Sequence, residues 1–170
     1  MKSILELWNA ATTEQAAEQI LPCNGSRAWA EQMAALRPFA TPFDLTCTAD
    51  IIWRSLPASD WQQAFDSHPR IGEHKAKAAT AESLKWSADE QSAANPDEQI
   101  KAALAEGNRA YEQKFGRIFI VCATGKSAAE MLTILNQRMA NDPATELREA
   151  AEQQRQITQV RLRKWLASNP

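Results

Sequence analysis

Glycine is scarce in this chain, with five in 170 residues, tyrosine occurs once, and alternating runs of β-branched residues are almost absent. A sheet-rich fold needs frequent turns and period-two alternation, so these shortages point to an all-α fold. The three cysteines, Cys23, Cys47 and Cys122, stand far apart, with no CxxC pair and no histidine at a zinc-finger interval. Such spacing argues against a disulfide framework or a zinc finger and predicts free, mostly buried thiols. No apolar run reaches membrane-spanning length, and Met1 leads straight into the amphipathic stretch Ser3-Ile4-Leu5-Glu6-Leu7-Trp8 without an apolar signal core. A soluble, cytoplasmic protein without membrane contact is expected. An excess of positive charge is missing too: the formal net charge is -2, the pI is about 5.8, and lysines and arginines are dispersed among acids, so nucleic acid is not an expected partner.

What is present is ordinary globular composition, 44% hydrophobic and 24% charged, over a length that suits one compact domain spanning residues 1–170. The periodicity predicts about seven to nine helices. The first covers Ile4 to Trp8, and the second runs from Thr13 to Leu21, ended by Pro22 and the Asn24-Gly25 turn. Ser26 is placed to cap a third over Arg27 to Leu36, before Pro38 and Pro42 interrupt. Leu45 to Ser55 forms the next, and Ser59 or Asp60 caps one that passes through Trp61 and Phe65 into His68-Pro69. A long polar helix from about Pro96 to Phe115 precedes one strand-like run, Ile118-Phe119-Ile120-Val121-Cys122, closed by Thr124-Gly125. Helices over Ser127 to Met139 and Pro143 to about Ala167 complete the chain.

Few residues are suited to chemistry. His68 precedes a proline, which disfavours helical geometry and sets the imidazole at a helix end, where it either caps the helix or projects into a cleft as an acid/base group. The other histidine, His74, lies outside the i, i+4 relation that would let both hold zinc on one helical face, and no metal site is expected. Ser87-Ala88-Asp89-Glu90-Gln91 has the Ser-x-x-Glu spacing of a capping box at a helix start. Free amides at such a start also bind anionic or carbonyl oxygens, and Glu90 and Gln91 are suited to orienting ring nitrogens and ureido groups. Asn108, Tyr111 and Phe115 fall near one helical face that ends at Gly116, a suitable C-terminal glycine. The run Ile118 to Cys122 is either a buried core strand or an extended edge whose backbone reads a flat heterocycle. Arg161, in Val160-Arg161-Leu162, is either a surface or ion-pair residue or a bidentate carboxylate clamp.

Taken in order, Arg37-Pro38-Phe39, His68-Pro69-Arg70-Ile71-Gly72, Ser87-x-x-Glu90-Gln91, Asn108-x-x-Tyr111-x-x-Lys114-Phe115-Gly116 and Val160-Arg161-Leu162 resemble the 2-oxo-4-hydroxy-4-carboxy-5-ureidoimidazoline (OHCU) decarboxylases over nearly the whole chain. The resemblance implies an all-helical homodimer that forms (S)-allantoin in urate catabolism, with His68 and Glu90 as the acid/base pair. It also implies substrate contacts from Pro69, Ser87, Gln91 and the backbone of Ile118, Phe119, Ile120, Val121 and Cys122, with Arg161 near the site. No cofactor is implied, because the substrate carries its own electron sink. Arg117 departs from the family pattern, which has an aromatic residue after Lys-Phe-Gly. The ending Ser168-Asn169-Pro170 lacks a peroxisomal signal, in line with a cytoplasmic enzyme. Two alternatives stand beside this reading: a helical protein-interaction module, and a decarboxylase of a related ureido heterocycle.

Overall fold

The computed structural model describes residues 2–71, 79–91 and 98–168. Every regular element among them is helical, as the composition predicts: α1 (Ile4–Ala10), α2 (Thr13–Ile20), α3 (Arg27–Ala35), α4 (Pro42–Ser55), α5 (Ala58–Asp66), α6 (Ala81–Gln91), α7 (Glu98–Phe115), α8 (Ala128–Arg138) and α9 (Pro143–Leu166), with a 3₁₀ turn at Leu21–Cys23. Short polar residues set the starts. Ser3 with Glu6, Thr12 with Gln15, Thr41 with Asp44 and Ser127 with Glu130 each close a reciprocal capping box, so side chains satisfy amides that lack an intrahelical acceptor. Pro42, expected as an interruption, instead opens α4 from its first turn, where its missing N–H would have gone unused. The proposed start of α7 at Pro96 lies outside the described residues.

Contacts group the chain into two compact units, Met1–Ala64 with Arg155–Pro170, and Phe65–Gln154. The first is organised by tryptophans, three of which donate from their ring nitrogens to backbone carbonyls. Trp8 donates to Ala16 at 2.8 Å, Trp29 to Ala49 at 3.2 Å and Trp61 to Trp53 at 2.9 Å, so large apolar rings are packed without stranding their donors. Trp8 also stacks on Phe39 and meets Trp165 edge-on. The later part of α9 is tied into this unit by Thr158, which accepts from Asn24 at 3.0 Å, and by Arg155, which pairs with Asp50 at 2.9 Å.

The second unit is built on α7 packed against α8, with Leu104, Tyr111, Phe115, Phe119, Met131 and Leu135 in its core. Gly107 permits this approach, since a Cβ at that position would lie 2.9 Å from Leu135 Cδ2, and Leu135 is fully buried. Alanine would recover about 1 kcal/mol of helix propensity, while overpacking costs about 1–3 kcal/mol. Gly107→Ala is therefore expected to lower the melting temperature by a few degrees. A thermal melt showing a rise would mean that Leu135 moves aside freely.

Candidate active site

Most residues singled out from the sequence belong to the second unit: His68, Pro69, Ser87, Glu90, Gln91 and the run Ile118 to Cys122. Arg161 belongs to the first, where it is fully buried and donates from Nη1 to the Pro22 carbonyl at 3.1 Å. His74 lies outside the described residues, and among those described no cluster of His, Cys, Asp and Glu could hold a metal ion. The thiols of Cys23 and Cys122 are buried and that of Cys47 is exposed, and none of the three is in a disulfide.

His68 follows the end of α5, with its amide donating to Phe65 O at 3.1 Å, and Pro69 prevents the helix from continuing. The helix-end position read from the His-Pro pair is observed. Its ring is buried, with Nε2 2.7 Å from Oε1 of Gln154, a fully buried residue on α9. Just beyond, Arg70 grips Glu112 of α7 through Nε at 2.5 Å and Nη2 at 3.0 Å, a two-point pair that anchors the chain leaving Pro69.

The capping box expected at Ser87 and Glu90 is not formed. Helix α6 already begins at Ala81, where Thr80 and Ser83 exchange hydrogen bonds at 3.1 Å, so Ser87 and Glu90 lie inside the helix and no free amides occur there for an anion. The same spacing places Ser83, Ser87 and Glu90 on one face, and that face is buried. A helix that turns hydroxyls and a carboxylate inward forgoes apolar burial and must match those groups with partners, an arrangement typical of binding and catalytic sites.

The strand expected at Ile118 to Cys122 is also absent: the segment has no regular structure, although Phe119 to Ala123 are buried. It has no neighbouring strand to pair with, because the described residues around it are helical, and side chains replace the ladder. Arg138 Nη1 donates to Ile120 O at 2.6 Å, Cys122 N–H donates to Gln153 Oε1 at 2.9 Å, and Lys126 Nζ donates to Cys122 O at 2.7 Å. Gly116, with φ +70°, closes α7 by donating its N–H to Glu112 O in a hydrogen bond of 2.8 Å, and Gly125, with φ +76°, turns the chain toward α8. The amides of Phe119, Ile120 and Val121 have no hydrogen-bond partner among the described residues. Donors on a buried segment call for acceptors.

Sequence reasoning passed over the group that holds this segment. Glu146 is fully buried and accepts from Tyr111 Oη at 2.5 Å, Arg138 Nε at 2.8 Å, Arg138 Nη2 at 2.5 Å and Asn141 Nδ2 at 2.9 Å. Arg138 also lies 4.6 Å over the Phe119 ring. Burial, followed by the bond to Glu146, pushes the Tyr111 hydroxyl far above its ordinary pKa, so it stays a proton donor. Asn108, Tyr111 and Phe115 share one buried face, as their spacing predicts. Arg117, the departure from the family pattern, leaves Nε and Nη1 buried without a hydrogen-bond partner among the described residues.

A family model described as OHCU decarboxylase matches residues 9–163 and so crosses both units. The chain is 38% identical over 144 residues to the uric acid degradation bifunctional protein TTL of Arabidopsis thaliana, an alignment covering 84% of this chain and 44% of that protein. It therefore spans less than half the length of the plant relative. It is 33% identical over 131 residues to the 2-oxo-4-hydroxy-4-carboxy-5-ureidoimidazoline decarboxylase of Amia calva, covering 74% of this chain and 73% of that one. The crystal structure of an OHCU decarboxylase in the presence of (S)-allantoin superposes with a TM-score of 0.78 at 36% identity, over 89% of this chain and 99% of that chain.

Proposed function

Because the chain belongs to the OHCU decarboxylase family, we propose that it is a carboxy-lyase of urate breakdown that converts 2-oxo-4-hydroxy-4-carboxy-5-ureidoimidazoline to (S)-allantoin and CO2 without a cofactor. The observation that carries this reading is the inward polar face of α6, Ser87 and Glu90, buried in the same unit as His68 and the unpartnered amides of Phe119 to Val121. A flat, polar heterocycle needs donors and acceptors of this kind, and the reaction needs a proton source.

The chemistry asks little else. The carboxylate departs from a ring carbon that also bears a hydroxyl and adjoins a C=N bond. As the C–C bond breaks, its electron pair forms a ring C=C bond and the imine pair moves onto nitrogen, which takes a proton. Proton delivery to one face of the neighbouring carbon, with loss of the hydroxyl proton, then yields the ring amide carbonyl of allantoin. His68 and Glu90 act as the acid/base pair for these transfers. Pro69, Ser87, Gln91 and the backbone of Ile118 to Cys122 hold the ring and ureido group, and Arg161 serves as a carboxylate clamp. Both units act as one catalytic domain, a reading supported by the single family model that crosses them. Homodimerisation and a cytoplasmic setting complete the proposal, tested by sedimentation and by fractionation of expressing cells.

A coupled assay tests the activity directly. Urate is converted in situ by urate oxidase and hydroxyisourate hydrolase, and circular dichroism of the product is followed with and without the protein. Rapid appearance of one allantoin enantiomer is expected. Slow racemic product at the uncatalysed rate would redirect attention to a related ureido heterocycle or to a non-catalytic interaction role.

A further inference from the structure

We propose that Gln154 is a positioning residue that holds His68 with its proton on Nε2, so that Nδ1 is the nitrogen that exchanges protons with the substrate. The inference rests on the reading of His68 as an acid/base group and adds which ring nitrogen does the work. It starts from one contact: His68 Nε2 lies 2.7 Å from Gln154 Oε1, with His68 8% exposed and Gln154 0%. A carbonyl oxygen can only accept, so the ring nitrogen facing it carries the hydrogen. In a neutral imidazole that leaves Nδ1 as the basic atom.

The surroundings favour this role over simple packing. Gln154 sits on α9 beside Gln153, whose amide orientation is fixed from both sides, since Oε1 accepts from Cys122 N–H at 2.9 Å and Nε2 donates to Glu149 Oε1 at 3.0 Å. Two consecutive glutamines of one helix thus reach the two segments assigned to the substrate, Gln153 the run ending at Cys122 and Gln154 the histidine. A helix supporting both fixes them from one rigid element. An amide also suits a residue that must cycle. It orients the ring without a formal charge that would hold the imidazolium and oppose proton release.

The test reads the ring itself. The chain contains two histidines, so ¹⁵N spectra of histidine-labelled protein can be assigned with a His74→Gln variant. Wild-type His68 is expected to show a protonated Nε2 and a bare Nδ1 at a pH where the ring is neutral. Gln154→Met, close in size but without the acceptor, is expected to lower kcat by on the order of ten- to a hundredfold with little change in KM. Gln154→Glu, which restores an acceptor but adds a charge that holds the imidazolium, should restore the protonated Nε2 while recovering only part of that loss. A bare Nε2 in wild-type protein, or a folded Gln154→Met variant with unchanged kcat, would overturn the proposal. The spectra require no turnover, so a protein that fails the urate-coupled assay yet shows protonated Nε2 would fault the functional reading and leave the ring assignment standing.

Discussion

His68→Gln is expected to lower kcat/KM by on the order of a hundred- to ten-thousandfold, the usual contribution of a positioned acid/base group. The substitution keeps a side chain able to donate to Gln154 Oε1, so the buried contact that His68 makes at 2.7 Å can persist and the far-ultraviolet dichroism should be unchanged. Because the substrate also decays by itself, the informative quantities are the rate above background and the handedness of the product, which should become racemic. A folded variant that still yields a single enantiomer at the normal rate would sink the assignment. Glu90→Gln offers a matched control. Glu90 lies in the last turn of α6 and has no N-terminal capping role to lose, so its loss of activity should come with little change in melting temperature.

The second large effect is on stability. Glu146 and Arg138 are 0% and 6% exposed, and their carboxylate and guanidinium share two contacts. Removing one charge strands the other in a dry site, at a cost of about 3–5 kcal/mol. For a chain of this size that corresponds to a fall of roughly 10 °C in melting temperature. Arg138→Met should show that fall in a thermal melt and also raise KM, because the Ile120 carbonyl loses its donor. Replacing both partners, Arg138→Met with Glu146→Leu, should return much of the stability, since neither charge then remains unpaired. A single variant that melts like wild type would show that the pair contributes nothing net.

Much of the fold was legible because helix starts are written locally: Ser3, Thr12, Ser26 and Ser127 each precede a helix and accept from its first turn. The misreadings share a cause. Ser87-x-x-Glu90 has the spacing of a capping box, but the same interval also describes two neighbours on one helical face, and the choice between them is made by Thr80 and Ser83 upstream. Ile118 to Cys122 has strand composition, yet a strand is defined by a partner, and no local pattern reports that side chains of Arg138, Gln153 and Lys126 take the partner's place. His68 and Glu90 stood out as candidates through residue type and order. Arg138 and Glu146 were not, because a cation in the last turn of one helix and an acid in the first turn of the next look like ordinary dipole-matching charges. Gln154 carried no signal either, since glutamines are common on polar helices and only its full burial sets it apart.

The tryptophans have a practical consequence. Five of the six, Trp8, Trp29, Trp53, Trp61 and Trp165, fall in the first unit, and Trp86 alone falls in the second, on the helix that carries Glu90. The chain therefore arrives with its optical labels already sorted. The difference in emission between wild-type protein and a Trp86→Phe variant isolates one indole that reports on α6, while the remaining signal follows the rest of the molecule, and no dye need be attached to either.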